Sequence, residues 1–275
     1  MKSAAFLPFL ILLALLSGSA CAAQIATPSR PAKTLAVVAA ASLAEPFNEI
    51  GHLFEAQNPN VRVVFNFAGS QQLARQLDQG APADVFASAS QKYMDAAVNA
   101  GRVITGTQQV FAYNRLVVIF PKDNPAGIQA LQDLAGPGLK LALAAKEVPA
   151  GQYSLDFLEK AAAAPTLGAA FKADVLNNVV SYEDNVKAVL VKVSLGEADA
   201  GIVYLSDISP QAAGKLGRLD IPAALNVIAA YPIAPLQNSQ QPELAQAFIH
   251  MVLSPEGQAV LAKHNFIPAG QNPAP

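Results

Sequence analysis

Short apolar runs alternate with amphipathic stretches along most of this chain, and the alternation limits the folds open to it. The strand-like runs cover residues 34–41, 61–67, 84–88, 115–120, 139–144 and 201–204. The stretches with helical periodicity cover residues 46–57, 71–79, 91–100, 155–164 and 186–195. Apolar strands separated by amphipathic helices predict parallel sheets covered on both faces. The sequence therefore predicts the α/β class.

The N-terminal segment has the pattern of a secretory signal. Residues 1–23 hold one early lysine, an apolar run from Phe6 to Leu16 and then a stretch of small residues. The apolar run is too short for a comfortable bilayer span. We therefore expect an exported protein, with a flexible tether over residues 24–33 and a flexible tail over residues 269–275.

Cys21 is the single cysteine of the chain, and two fates stay open for it. In a lipoprotein Cys21 carries lipid and anchors the domain to the outer face of the cytoplasmic membrane. With ordinary cleavage after Ala22 or Ala23, Cys21 is removed and the domain is periplasmic. In either case the mature domain has no disulfide.

The composition of the chain excludes some partners. Hydrophobic residues make up 52% and charged residues 14%, so a large core is available for one large fold or two lobes. The net charge is -2, and there is no tryptophan. Because nucleic-acid binding proteins present basic patches and stacking aromatics, we expect no nucleic-acid partner. We expect a monomer.

Enzyme and metal motifs are missing from the sequence. It has no Gly-x-Ser-x-Gly elbow, no phosphate-binding loop that ends in Gly-Lys-Ser/Thr and no Gly-x-Gly-x-x-Gly turn. The histidines, His52, His250 and His264, are scattered, and no zinc or calcium spacing is present. We therefore predict a non-enzyme without a cofactor or a directly bound metal ion. A secreted hydrolase with Ser42 or Ser70 as nucleophile is the remote alternative.

Two strand-like runs end on a serine and are followed by a helix-like stretch. Ser42 follows the first run, and Ser70 follows the second. At such an end the first N–H groups of the helix and its dipole favour an anion. A serine in this position is most often only a helix cap, so neither serine is sufficient evidence alone.

Three more residues stand at comparable ends. Ala150 lies in a small-residue segment before a helix, Val186 lies in the first turn of another, and Tyr204 ends an apolar strand. Ala150 and Val186 have no side-chain chemistry, and a tyrosine such as Tyr204 is more often core with its hydroxyl at the rim. These residues therefore point to a site only as a set.

Six segments resemble, in the same order, segments of the molybdate-binding proteins of bacterial ABC importers. The resemblance spans residues 34–268. The segments are Ala39-Ala40-Ala41-Ser42-Leu43, Phe67-Ala68-Gly69-Ser70, Gly80-Ala81-Pro82-Ala83-Asp84-Val85-Phe86, Val148-Pro149-Ala150-Gly151, Glu183-Asp184-Asn185-Val186 and Ala200-Gly201-Ile202-Val203-Tyr204-Leu205-Ser206-Asp207.

This resemblance implies a type II periplasmic-binding-protein fold, with two α/β lobes, a hinge and a central ligand cleft. Lobe 1 would comprise residues 34–112 plus 232–268, and lobe 2 would comprise residues 113–231. The chain would cross between the lobes near residues 111–115 and again near residues 231–234.

The resemblance also implies a ligand set. In this family a tetrahedral oxyanion is held by two serines, two backbone N–H groups and a tyrosine hydroxyl, which fall on Ser42, Ser70, Ala150, Val186 and Tyr204. The molybdenum would be held only through its oxygens. Gly69 and Gln71 depart from the family, which often has further serines beside the position of Ser70.

The function that follows is capture of molybdate, and of tungstate, for an ABC importer permease in the cytoplasmic membrane. Molybdate has no proton to donate at neutral pH, so a site made only of donors suits it. The nearest alternative is a receptor for another oxyanion, chiefly sulfate. An envelope lipoprotein with a purely structural role is a third possibility.

Overall fold

Helices and strands alternate along the chain in the computed structural model, which describes residues 33–271. The strands in that part of the chain are β1 (Lys33–Ala40), β2 (Val61–Ala68), β3 (Val85–Ala87), β4 (Gln109–Pro121), β5 (Leu141–Ala144), β6 (Val179–Glu183), β7 (Ala200–Tyr204), β8 (Leu216–Asp220), β9 (Ile228–Pro235) and β10 (Ile267–Pro268). The α-helices are α1 (Ala44–Gln57), α2 (Ser70–Asp78), α3 (Gln91–Asn99), α4 (Pro149–Ala163), α5 (Phe171–Asn177), α6 (Val186–Ser194), α7 (Pro210–Ala213), α8 (Pro242–Leu253) and α9 (Pro255–Lys263). The predicted α/β class is confirmed.

The strands join in the order β2-β1-β3-β9-β4-β7-β5-β6, and β8 and β10 also pair with β4. Strand β1 is parallel to β2 and β3, and β5 is parallel to β6 and β7. Strand β9 is antiparallel to β3 and β4, and β4 is antiparallel to β7, β8 and β10. The prediction of parallel sheets is therefore correct for the pairings of β1 with β2 and β3 and of β5 with β6 and β7. It is wrong for the pairings of β4 and β9.

Strand β4 joins two halves of this strand order. The first half comprises β2, β1, β3 and β9, and the second comprises β7, β5 and β6. Its residues 109–115 pair with β9, and its residues 116–121 pair with β7 and β8. The chain leaves the first half along β4 and returns to it along β9. The two strands must therefore run in opposite directions, which explains the antiparallel pairing.

Helices from both ends of the chain pack on the first half. Phe47, Ile50 and Phe54 follow helical spacing on α1 and are at most 2% exposed. The rings of Phe47 and Phe54 meet that of Phe248 on α8, with centroids 5.9 and 5.5 Å apart. Each such buried side chain contributes about 1.5–3 kcal/mol. The C-terminal helices therefore complete the core of the N-terminal half.

Two helix starts differ from the prediction. Ser42 lies in a 3-10 helix (Ala41–Leu43) that runs into α1, and no side-chain cap bond forms there. Helix α4 begins at Pro149 instead of near Leu155. A proline is well suited to the first helical position, where its missing N–H costs no bond.

Helix α2 ends at Asp78, within one residue of the predicted end at 79, and Gly80 just beyond it adopts a φ of 91°. The predicted signal with Cys21, residues 24–32 of the predicted tether and residues 272–275 of the predicted tail lie outside the described residues. Within residues 33–271, no helix has the length and apolar character needed to cross a membrane.

Candidate anion-binding site

A small cavity lies where strands of both halves end and helices begin. It is bordered by the last residues of β1, β2 and β7 and by the first residues of α2, α4 and α6. Ligands of open α/β folds bind outside the carboxyl ends of strands in this way. The centre of a water-sized sphere can move through about 10 Å³ of the cavity. The cavity is therefore small.

The structure brings together all the residues that the sequence singled out. The predicted ligand residues Ser42, Ser70, Ala150, Val186 and Tyr204 all line this one cavity. Between 1% and 4% of each residue is exposed. Residues from distant parts of the chain thus surround one buried space.

Ser42 reaches the cavity from the 3-10 helix that follows β1. Its Oγ lies 2.9 Å from Oη of Tyr231, which belongs to the returning strand β9. Tyr231 is fully buried. In residues 33–271 the Ser42 hydroxyl therefore has one hydrogen-bond partner, and Ser42 also lines the cavity.

Ser70 is the first residue of α2. Its Oγ accepts a hydrogen bond of 3.0 Å from the N–H of Ala89. Because this bond uses a lone pair of the oxygen, the hydroxyl hydrogen of Ser70 remains available as a donor. Gly69 precedes it, and a Cβ on Gly69 would lie 2.6 Å from the carbonyl oxygen of Asp184. Glycine therefore permits a close approach of the two segments beside the cavity.

Ala150 and Val186 present backbone N–H groups. Val186 is the first residue of α6 and Ala150 is the second of α4, so their N–H groups have no partner within the helix. The side chain of Asn185 caps α6 by accepting from the N–H of Ala188 at 3.1 Å. The cap uses a different donor and leaves the N–H of Val186 free for a ligand.

Tyr204 ends β7 with its side chain buried. Among residues 33–271, its hydroxyl has no hydrogen-bond partner. Burial, followed by the neighbouring Tyr231, Tyr153 and Asp207, raises the pKa of Tyr204 well above its usual value. A buried hydroxyl normally has a hydrogen-bond partner. The neutral and unpaired hydroxyl of Tyr204, at the wall of the cavity, is therefore suited to donate a hydrogen bond to a ligand.

The wall of the cavity is uncharged, but an ion-pair cluster stands next to it. None of the thirteen lining residues carries a charge. Lys187, which follows Val186, lies 2.8 Å from a carboxylate oxygen of Glu45 and 3.5 Å from Oδ1 of Asp207. Asp207 is fully buried, and its other oxygen accepts from the N–H of Tyr204 at 3.0 Å.

The pKa values of this cluster shift with burial. Burial alone would lower the pKa of Lys187, but the carboxylates of Asp207 and Glu45 raise it above its usual value. Burial raises the pKa of Asp207 to about 6, although Lys187 and the N–H of Tyr204 oppose that rise. Lys187 therefore stays a cation beside the cavity.

The histidines lie away from the two serines. His52 and His250 are exposed, and His264 lies 2.9 Å from Glu49. The side-chain hydrogen-bond partners of Ser42 and Ser70 in the described chain are Tyr231 and the N–H of Ala89. The hydrolase alternative required a histidine as base at one of these serines. In residues 33–271, no group of three or more histidine, cysteine, aspartate or glutamate residues could hold a metal ion.

Sequence reasoning missed Tyr231 and Asn114, which lie behind Ser42. Tyr231 stands next to Pro232, and proline is a signal against a central strand. Asn114 Nδ2 donates to Ser206 Oγ at 2.7 Å and to Tyr231 Oη at 3.4 Å. The contact between Ser42 and Tyr231 joins residues 189 positions apart, so the local pattern held no signal for it.

Solved structures of binding proteins share this fold. The substrate-binding domain of a putative molybdenum ABC transporter from Clostridium difficile matches with a TM-score of 0.64 and 28% identity, over 86% of this chain and 100% of that one. The periplasmic molybdate-binding protein of Azotobacter vinelandii matches with a TM-score of 0.72 and 22% identity, over 85% of this chain and 98% of that one. Fold and site thus define a solute-binding protein of the type II periplasmic-binding-protein fold.

Sequence comparisons show the family. The family model of the bacterial extracellular solute-binding proteins matches residues 35–267. The molybdate-binding protein ModA of Mycobacterium tuberculosis is 40% identical, over 89% of this chain and 88% of its own length. The chain belongs to the bacterial extracellular solute-binding protein family. The names of these relatives describe solute-binding and molybdate-binding proteins.

Proposed function

We propose that this protein captures molybdate, and equally tungstate, outside the cytoplasmic membrane and delivers the anion to an ABC importer. The observation that carries the proposal is the set of five donors around one small uncharged cavity. The donors are the hydroxyls of Ser42, Ser70 and Tyr204 and the N–H groups of Ala150 and Val186. The resemblance of the sequence to molybdate-binding proteins supports the same ligand.

The chemistry of the donor set favours a fully deprotonated oxyanion. Molybdate presents only acceptors at neutral pH, and each of the five groups can donate to one of them. Hydrogen bonds to a charged group contribute about 1.5–3 kcal/mol each, so several together can offset the desolvation of a dianion. The helix N-termini of α2, α4 and α6 add their positive dipole ends to the same wall.

The proposed cleft lies between two lobes, residues 34–112 plus 232–268 and residues 113–231. Ser42 and Ser70 then stand on one wall, and Ala150, Val186 and Tyr204 stand on the other. The pair of Lys187 with Glu45 and a 2.8 Å bond from Gln71 Nε2 to the carbonyl oxygen of Asp184 would join the lobes. Contacts made only when the lobes meet would favour closure around the anion.

Sulfate is the nearest competing ligand, because it is also a tetrahedral dianion without a proton. It is smaller than molybdate, so it should not reach all five donors at once. Phosphate retains a proton near neutral pH and would need an acceptor at the site. No carboxylate is among the residues that line the cavity in the described chain.

The test is calorimetric titration of the purified protein with molybdate, tungstate, sulfate and phosphate in parallel. We expect molybdate and tungstate to bind with similar affinity and to compete for one site. Sulfate should bind far more weakly, and phosphate should give no heat. Equal affinity for sulfate would instead assign the protein to sulfate transport, and no heat with any oxyanion would refute the proposed function.

A further inference from the structure

A series of buried, hydrogen-bonded polar side chains lies behind Ser42, and the groups around it determine which atom donates in each bond. It runs from Asn114 on β4 through Tyr231 on β9 to Ser42, and all three are at most 1% exposed. The two strands on which it begins are those that connect the halves of the fold. Its members lie outside the predicted ligand set, except Ser42 itself.

The orientation of the Asn114 amide follows from its backbone neighbour. Oδ1 of Asn114 accepts a hydrogen bond of 3.0 Å from the N–H of Arg115. The amide nitrogen therefore faces the other way, toward Ser206 Oγ at 2.7 Å and Tyr231 Oη at 3.4 Å. An amide nitrogen donates and cannot accept, so the Tyr231 oxygen is the acceptor of that bond.

The hydroxyl hydrogen of Tyr231 then has one available acceptor in the described chain. Within the described chain, its hydroxyl oxygen has two hydrogen-bond partners, Asn114 Nδ2 at 3.4 Å and Ser42 Oγ at 2.9 Å. The hydroxyl of the neighbouring Tyr204 makes no hydrogen bond there, so it is not an acceptor for Tyr231. Because the amide nitrogen of Asn114 cannot accept, Tyr231 donates to Ser42 Oγ across 2.9 Å. The bond occupies a lone pair of Ser42 and leaves the hydrogen of its hydroxyl for the cavity.

We propose that Tyr231, oriented by Asn114, is a positioning residue that holds Ser42 as a hydrogen-bond donor to the bound oxyanion. Ser70 is held in the same state by a different group, since its Oγ accepts from the N–H of Ala89 at 3.0 Å. Both serines then offer a hydrogen and have a lone pair in use. The arrangement selects oxyanions without a proton, because a protonated one finds few acceptors.

The first test is a double-mutant cycle on molybdate affinity, with Tyr231→Phe, Ser42→Ala and the double variant. Phenylalanine keeps the buried ring, and we expect Tyr231→Phe to weaken binding about threefold to tenfold, as for the loss of one oriented hydrogen bond. If Tyr231 acts through Ser42, the double variant binds within about twofold of Ser42→Ala alone. Tyr113→Phe is the matched control, because Tyr113 lies on β4, is half-buried and is not one of the hydrogen-bonded residues Asn114, Tyr231 and Ser42.

Two results would overturn the inference. One is a molybdate affinity of Tyr231→Phe equal to that of Tyr113→Phe. The other is a double variant whose loss of affinity equals the product of the fold-losses of the two single variants. Selectivity gives a further readout. Phosphate should compete better against molybdate in Tyr231→Phe than in the wild type, because Ser42 Oγ no longer accepts from Tyr231 and can accept a hydrogen bond from the phosphate proton.

A second measurement needs no variant. Neutron diffraction from crystals of the wild-type protein should place the deuterium of Tyr231 Oη toward Ser42 Oγ. A Ser42 deuterium directed at Tyr231 would refute the inference. The inference rests on the proposed function, and the two failures are distinguishable. If the wild type binds no oxyanion the function fails, whereas a binding wild type with an unaffected Tyr231→Phe rejects only the role of Tyr231.

Discussion

Lys187 Nζ lies 2.8 Å from a carboxylate oxygen of Glu45, and this pair joins the start of α6 to the start of α1. Val186, which lines the cavity and is the first residue of α6, immediately precedes Lys187. Glu45 lies three residues after Ser42. The ion pair therefore ties together two segments that supply predicted ligand donors from the two proposed lobes.

Glu45→Gln should weaken molybdate binding about twofold to fivefold, because a partly exposed ion pair contributes up to about 1 kcal/mol. The neutral variant keeps Lys187 beside Asp207, so the buried carboxylate stays paired. Calorimetric titration measures the effect, and it should shrink at high salt. Glu159→Gln is the control, since Glu159 pairs with Lys172 inside one proposed lobe. Equal affinities of the two variants would argue against a role of the pair in closure.

Ser42→Ala and Ser70→Ala should each weaken molybdate binding about tenfold to a hundredfold, through loss of one hydrogen bond to a charged ligand. Both variants should fold, since alanine fits each position. Ser194→Ala serves as control, because Ser194 Oγ donates to the carbonyl oxygen of Leu190 on the same helix and Ser194 does not line the cavity. Unchanged affinity in both site variants would contradict the assignment of the two serines.

Tyr204→Phe should separate binding from stability. The lost hydroxyl has no partner in the described chain, so its removal should leave the Tm of the ligand-free protein unchanged or raise it by about 2 °C. Molybdate binding should weaken about tenfold to a hundredfold for lack of one donor. Thermal melts with and without molybdate measure both effects, with the exposed Tyr182→Phe as control. A lowered Tm with unchanged affinity would mean that the hydroxyl is structural.

The pH dependence of stability should report Asp207. Burial raises its folded-state pKa to about 6, above the unfolded value, so the folded state binds its proton more tightly. The stabilisation from this group is complete below about pH 4 and is lost as the pH rises through about 6. The charged neighbours in the cluster are Lys187 and Glu45.

Urea melts of the ligand-free protein and of Asp207→Asn between pH 4.5 and 7.5 test this expectation. The free energy of unfolding of the wild type, relative to the variant, should fall as the pH rises through that range. Asparagine can still accept from the N–H of Tyr204, which makes it a suitable reference. A difference that rises with pH would mean that Lys187 holds the Asp207 pKa below its unfolded value.

Two of the predicted ligand residues could be selected from the sequence pattern itself. Ser42 and Ser70 each end an apolar run, and the structure places both at the cavity. Ala150 and Val186 contribute only backbone, so their selection depended on the resemblance to a family. Their roles as ligand donors remain predictions, as do the lobe boundaries.

Other features needed the three-dimensional structure. Pro232 and Pro235 lie within β9, and prolines in a run argue against a central strand, although β9 pairs with both β3 and β4. The helical pattern predicted helix α4 only from residue 155, whereas the helix begins at Pro149. A Cβ on Gly151 would lie 2.0 Å from the carbonyl oxygen of Ala145, so glycine lets the helix start against the end of β5. Such contacts depend on what lies opposite, and no local pattern encodes that.

The central claim is that five donors hold one molybdate in this cavity. A crystal structure of the molybdate complex, with the metal located by its anomalous scattering, tests it most directly. We predict one molybdenum peak in the cavity, with Ser42 Oγ, Ser70 Oγ, Tyr204 Oη and the nitrogens of Ala150 and Val186 each about 2.6–3.2 Å from a molybdate oxygen. A peak elsewhere, or a molybdate in the cavity that these donors do not contact, would contradict the account.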